Sequence, residues 1–163
     1  MSFEYNGLHL MVDARVPDDL RDSLVDPTTG VAMLESIVEK VDMTMILPPV
    51  TVKFPHAICE MTRVLDSLNL EGLGDSKTAR EIQYHLTERK NESYGYSTFA
   101  MIAESHLSIH TFPELAFFSF DCYSCKGFDV QAVLEVMNQH FPISNLVHQV
   151  AERTVPVQSS SIK

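Results

Sequence analysis

Residues 94–124 read YGYSTFAMIAESHLSIHTFPELAFFSFDCYS, a stretch rich in aromatic, β-branched and alternating side chains. That texture predicts three strands, Tyr94–Ala103, Ser105–Thr111 and Ala116–Ser124. The last two are joined at Phe112-Pro113-Glu114. Joins this short suit antiparallel neighbours, because parallel ones need long crossovers. On a strand, His106, Ser108 and His110 project to one face. Three polar residues on that face need water or hydrogen-bond partners.

Upstream, Gly7–Asp13 reads as a first strand, with Leu8, Leu10 and Val12 on one face. Residues 14–25 are polar and broken by Pro17. Asp26-Pro27 then predicts a helix start, an acceptor side chain followed by proline in the first turn. Met33, Leu34, Ile37, Val38 and Val41 follow at helical spacing. A second strand is expected over Met43–Leu47, ending at Pro48-Pro49. Residues 50–90 form a separate block, read as an inserted helical hairpin with Ile58, Met61, Leu65 and Leu68 on its first stripe and Ile82 and Leu86 on its second.

Downstream, Asp129 starts a helix with Val130, Val133, Leu134, Met137 and Phe141 on one stripe, stopped by Pro142. Asn145–Thr154 is a last strand, and about 156–163 a mobile tail. The expected architecture is α+β: one domain over 1–163, a two-layer sandwich of a mostly antiparallel sheet with helices on one face. No glycine-rich loop opens a helix, so neither a P-loop nor a dinucleotide fingerprint is present.

The net charge is −10, which disfavours nucleic acid and anionic membranes as partners. No apolar run approaches a membrane span, and the N-terminus lacks a signal-peptide pattern, so a cytoplasmic location is the default. The cysteines, Cys59, Cys122 and Cys125, are odd in number and do not suggest a disulfide framework. Cys122 and Cys125 form a C-x-x-C, but on a strand they point apart, one to the core and one to a cleft. Metal is not expected: four zinc ligands are hard to assemble, and His106 and His110 sit roughly 13 Å apart along a strand.

AESHLSIHTFPE at 103–114 closely resembles the processing segment of bacterial and archaeal S-adenosylmethionine decarboxylases. FDCYSC at 120–125 is similar to that family's strand ending in a catalytic cysteine, and the Ser105-to-Cys125 spacing agrees. Gly95, Ser97 and the opening GLHLMVDA also correspond. The resemblance implies a precursor cleaved at Glu104-Ser105 into fragments 1–104 and 105–163. Ser105 would be the cleavage nucleophile and become a pyruvoyl group that forms a Schiff base with substrate. It further implies that His110 is the acid/base of processing, that Ser97 assists it, that Cys125 is the proton donor, and that Phe112 and Glu114 contact substrate. The partners implied are a small-molecule substrate and a second copy of the chain, with sheets paired face to face and active sites near the interface.

The expected reaction is decarboxylation of S-adenosylmethionine for spermidine and polyamine synthesis. Asn91 stands where the family commonly has an aromatic residue that stacks on adenine. That departure keeps open a pyruvoyl-dependent arginine or ornithine decarboxylase. A non-catalytic, unprocessed paralogue serving as a binding or regulatory subunit is the third reading.

Overall fold

The computed structural model describes residues 7–53, 95–103 and 105–154. The expected helical hairpin, Asn91, Glu104 and the tail beyond Thr154 therefore lie outside the described residues. The sheet is built from β1 (Gly7–Arg15), β2 (Val50–Lys53), β3 (Tyr96–Ile102), β4 (Ser105–Phe112), β5 (Phe117–Ser124) and β6 (Asn145–Arg153). Their order is β2-β3-β4-β5-β1-β6, and every pair is antiparallel. Two helices, α1 (Pro27–Lys40) and α2 (Val130–His140), contact each other and join the sheet in a single core. This is the α+β arrangement expected.

Both helices begin where the sequence places a cap. The Asp26 carboxylate accepts from the Thr28 N–H at 3.0 Å, and Asp129 accepts from Gln131 and Ala132. Each satisfies donors that a helix start otherwise leaves bare. The stripes Met33, Leu34, Ile37 and Val133, Val136, Met137 are buried. They meet the sheet's inward residues, among them Leu10, Val12, Leu107, Ile109, Phe118 and Phe120, all 2 % exposed or less. A buried side chain of this kind contributes about 1.5–3 kcal/mol, so this face fixes the register of every strand that carries it.

One strand lies elsewhere than expected. Within Met43–Leu47 only Met45 makes a ladder contact, an isolated bridge to Ile102. Two backbone bonds flank it, Ile46 N–H to Met101 O and Ala103 N–H to Thr44 O, both 2.9 Å. The strand proper is Val50–Lys53, beyond Pro48-Pro49 and inside the block read as helical. Prolines donate no N–H and interrupt a ladder. Here they divide an edge into a bridge and a strand instead of ending it.

Gly95 precedes β3 at a close backbone approach. A Cβ there would collide with the Thr111 carbonyl oxygen and lie 2.8 Å from Thr111 Oγ1. That hydroxyl accepts from the Tyr96 N–H at 2.8 Å in a buried setting. Gly95→Ala should therefore destabilise the fold by about 1–3 kcal/mol through overpacking, read as a lowered midpoint in chemical denaturation.

Candidate active site

β4 and β5 run antiparallel with His106 opposite Tyr123. This register brings the start of β4 beside the end of β5. Ser105 opens β4, and Cys125 lies just past β5. The Cys125 N–H donates to Ser105 Oγ at 3.0 Å. The turn beyond is held by Ser124 Oγ, which accepts from the Lys126 N–H at 3.1 Å. Sequence reasoning joined Ser105 to Cys125 through a resemblance. In the structure a backbone donor links them.

The pair borders a cavity of about 280 Å³. Ser105, Cys125 and Lys126 form one wall, and the chain leaving α1 (Val41, Asp42, Met43 and Thr44) forms another. Asp42 has φ 53°. The left-handed region is costly for most residues, and Asp is among the few that tolerate it. Cys122 is fully buried, and burial pushes its thiol up to about 12, the Asp121 charge adding to the effect. Of the C-x-x-C pair, only Cys125 borders the cavity.

The second pair lies on the sheet face away from the helices. Ser97 opposes His110 in register, and Ser97 Oγ is 2.7 Å from His110 Nδ1. A serine hydroxyl against an imidazole can exchange a proton in either direction. Continuing across the sheet, His110 opposes Ser119, and Ser119 opposes Asp13. The Ser119 hydroxyl donates to Asp13 Oδ1 at 2.9 Å. Asp13 and Ser119 carried no signal in the sequence, because their adjacency is a product of register alone.

The two pairs do not meet within one chain. Ser105 and His110 are five residues apart on β4, so they point to opposite faces roughly 17 Å apart along the strand. Phe112 lies beyond His110 and packs against Phe117, with ring centroids 5.6 Å apart. Glu114 is exposed in the short 3-10 turn after β4.

A third group occupies the open face near Cys125. His9, Tyr123 and His106 form a cross-strand row, and the Phe99 ring stacks on His106 at 5.6 Å. His9 Nε2 donates to Asp121 Oδ1 at 3.1 Å. Burial, then the neighbouring His9, hold His106 below the ordinary imidazole value of 6.5, while Asp121 partly opposes them. Among the described residues, no group of three or more His, Cys, Asp or Glu is placed to hold a metal ion.

The sequence profile of the S-adenosylmethionine decarboxylase family matches residues 70–154, just over half of the chain. The chain belongs to this family. Among curated relatives, S-adenosylmethionine decarboxylase proenzyme 2 of Bacillus cereus is 42% identical over 41 residues, covering 25% of this chain and 33% of that one. The proenzyme of Thermomicrobium roseum is 37% identical over 65 residues, covering 39% and 53%. Its counterpart from Pyrobaculum islandicum is 55% identical over 31 residues, covering 19% and 25%. The chain thus spans about half or less of the length of these relatives. The crystal structure of the adenosylmethionine decarboxylase from Aquifex aeolicus superposes with a TM-score of 0.55 at 20% identity, covering 98% of this chain and 99% of that one. That likeness establishes the shared fold of the family.

His106 should titrate below 6.5, as NMR of its ring protons would read directly. The unfolded chain then binds that proton more tightly than the folded one. His106 therefore subtracts stability as pH falls below about 6.5, and His106→Gln should flatten this part of the stability–pH curve.

Proposed function

We propose that this chain is a self-processing, pyruvoyl-dependent decarboxylase acting on S-adenosylmethionine. The observation that carries the proposal is the junction of Ser105 and Cys125 at one cavity, with Ser105 Oγ held by the Cys125 amide at 3.0 Å. The relatives are S-adenosylmethionine decarboxylase proenzymes, which supports both the substrate and the processing.

A serine hydroxyl is a weak nucleophile and needs a partner to accept its proton. The Cys125 N–H aims a donor at Ser105 Oγ, a favourable placement for oxygen that gains negative charge. Attack on the Glu104 carbonyl would turn the peptide bond into an ester. Elimination across Ser105 would release Glu104 as a carboxylate and leave dehydroalanine, and water would displace its nitrogen as ammonia to give the blocked, pyruvoyl N-terminus. The residues around Ser105 fit a pyruvoyl group made there. The side chain opens onto a cavity, and a thiol stands at the same wall. When present, the group supplies an electrophilic carbonyl and an electron sink for loss of carbon dioxide. Cys125 is then the acid that protonates the substrate carbon, a task suited to a thiol beside the reacting atoms.

His110 and Ser97 enter this scheme through a second copy of the chain. The open face carries exposed Val50, Val52, Phe99 and Met101 along its β2–β3 edge and Val147 on β6 at the other, apolar groups that a second copy would cover. Tyr123, on that face, contacts Cys125 at 3.6 Å, so the open face reaches the Ser105–Cys125 junction at its edge. Two such faces paired about a two-fold axis would bring the Ser97–His110 pair of one copy to that edge of the other. Phe112 and Glu114, at the His110 end, would then complete the pocket for the adenosyl part. A cavity of about 280 Å³ lies just under the size usual for a whole ligand, in keeping with a pocket finished by a partner.

Intact mass after purification should give two fragments, the smaller beginning at residue 105 with a blocked N-terminus, and Ser105→Ala should leave one uncut chain. Release of carbon dioxide should be seen with S-adenosylmethionine. Release from arginine or ornithine alone would transfer the chemistry to a basic amino acid, and a wild-type chain that stays uncut would favour the non-catalytic reading.

The shared site has its own test. Ser105→Ala and His110→Ala precursors should each fail to process alone. When co-expressed, the His110→Ala chain should be cut, since it retains Ser105 and meets an intact His110 across the interface. Absence of that rescue, with mixed dimers verified by mass, would rule out sharing.

A further inference from the structure

Tyr123 takes no part in the scheme above, yet its hydroxyl lies 3.6 Å from Cys125 Sγ, within hydrogen-bond range for sulfur. Its ring is gripped on several sides. The Arg153 guanidinium sits over it at 4.4 Å from the centroid. The His106 ring lies 5.7 Å away, and His9 meets it edge-on at 6.0 Å. A cation over a ring and aromatic neighbours each restrain it. The hydroxyl is therefore aimed at the thiol from a fixed ring.

From this geometry we infer that Tyr123 is a positioning residue, which holds the Cys125 thiol and restores its proton between turnovers. The inference rests on the reading of Cys125 as proton donor. In that step the S–H bond breaks as a C–H bond forms at the substrate carbon, leaving a thiolate. The Tyr123 O–H then passes its proton to sulfur while water passes one to the phenol oxygen. The net consumption is one proton per carbon dioxide released, which is what decarboxylation of a carboxylate requires.

Tyr123→Phe tests this because it keeps the ring, and with it the contacts to Arg153, His106 and His9, and removes only the hydroxyl. The variant should still cleave at residue 105, shown by intact mass. Its kcat should fall about tenfold, the scale of one lost hydrogen bond, with KM within about twofold because substrate contacts are kept. A second readout needs no turnover. In the uncut Ser105→Ala protein, alkylation of Cys125 by iodoacetamide at fixed pH should be about threefold slower or more with Phe at 123, since the donor that stabilises the Cys125 thiolate, and so raises its share at that pH, is gone. The inference requires both effects. Turnover equal to wild type, or alkylation as fast as or faster than with Tyr123, overturns it. Cys125→Ala separates the two layers. If Cys125→Ala decarboxylates at the wild-type rate, the reading of Cys125 falls and Tyr123 with it. If Cys125→Ala is impaired and Tyr123→Phe is not, only the Tyr123 inference fails.

Discussion

Burial of the inward row on the central strands decides where every other side chain of the sheet points. Leu107 and Ile109 on β4, Phe118 and Phe120 on β5, and Leu10 and Val12 on β1 are packed under α1 and α2. Each contributes about 1.5–3 kcal/mol by leaving water. A one-residue slip of any of these strands would turn its whole apolar row outward. Ser97, His106, His110, Asp121 and Tyr123 are thereby fixed on the open face, and their cross-strand contacts follow without any need for long-range attraction.

The same alternation separates the chemistry into two places. An odd spacing on β4 sends Ser105 and His110 to opposite faces and opposite ends of the strand. Ser105 instead finds Cys125, because antiparallel pairing brings the first residue of one strand to the last of its neighbour. The cavity they share is closed by a segment from far upstream in the chain, the turn after α1 with Asp42 in the left-handed conformation. That turn is tied back through Met43 N–H to Val38 O at 2.9 Å and through Thr44 O to Ala103 N–H. The edge bridge at Met45 thus positions a wall of the site as well as an edge of the sheet.

The open face combines exposed valines, Phe99 and Met101 with a polar interior of histidine, aspartate and arginine. Polar groups so close together retain their mutual hydrogen bonds if the face is covered, which lowers the cost of burying them. An apolar margin around a satisfied polar centre suits self-association better than a uniformly solvated sheet would. Partial burial already depresses the His106 imidazole, in the direction that further covering would extend.

Much of the scaffold was legible in the sequence because it depends on local rules. Period-two alternation placed β1, β3, β4, β5 and β6 within a residue or two of their observed bounds. Asp26-Pro27 and Asp129 marked both helix starts, since a capping carboxylate acts on donors two or three residues away. The strand expected at Met43–Leu47 was misplaced because an edge strand has one partner and few buried side chains, so its pattern is weak. Within the candidate site, residue types and the Ser105-to-Cys125 spacing singled out two residues that the structure brings into contact. What the sequence determined by itself was which residues alternate, where helices start, and which reactive groups share a strand face. Which of those groups touch was decided by the tertiary structure alone. Ser97 against His110, Tyr123 against Cys125 and Arg153 against Tyr123 depend on strand order and register, and these are set by burial of the opposite face rather than by anything in the reactive residues themselves.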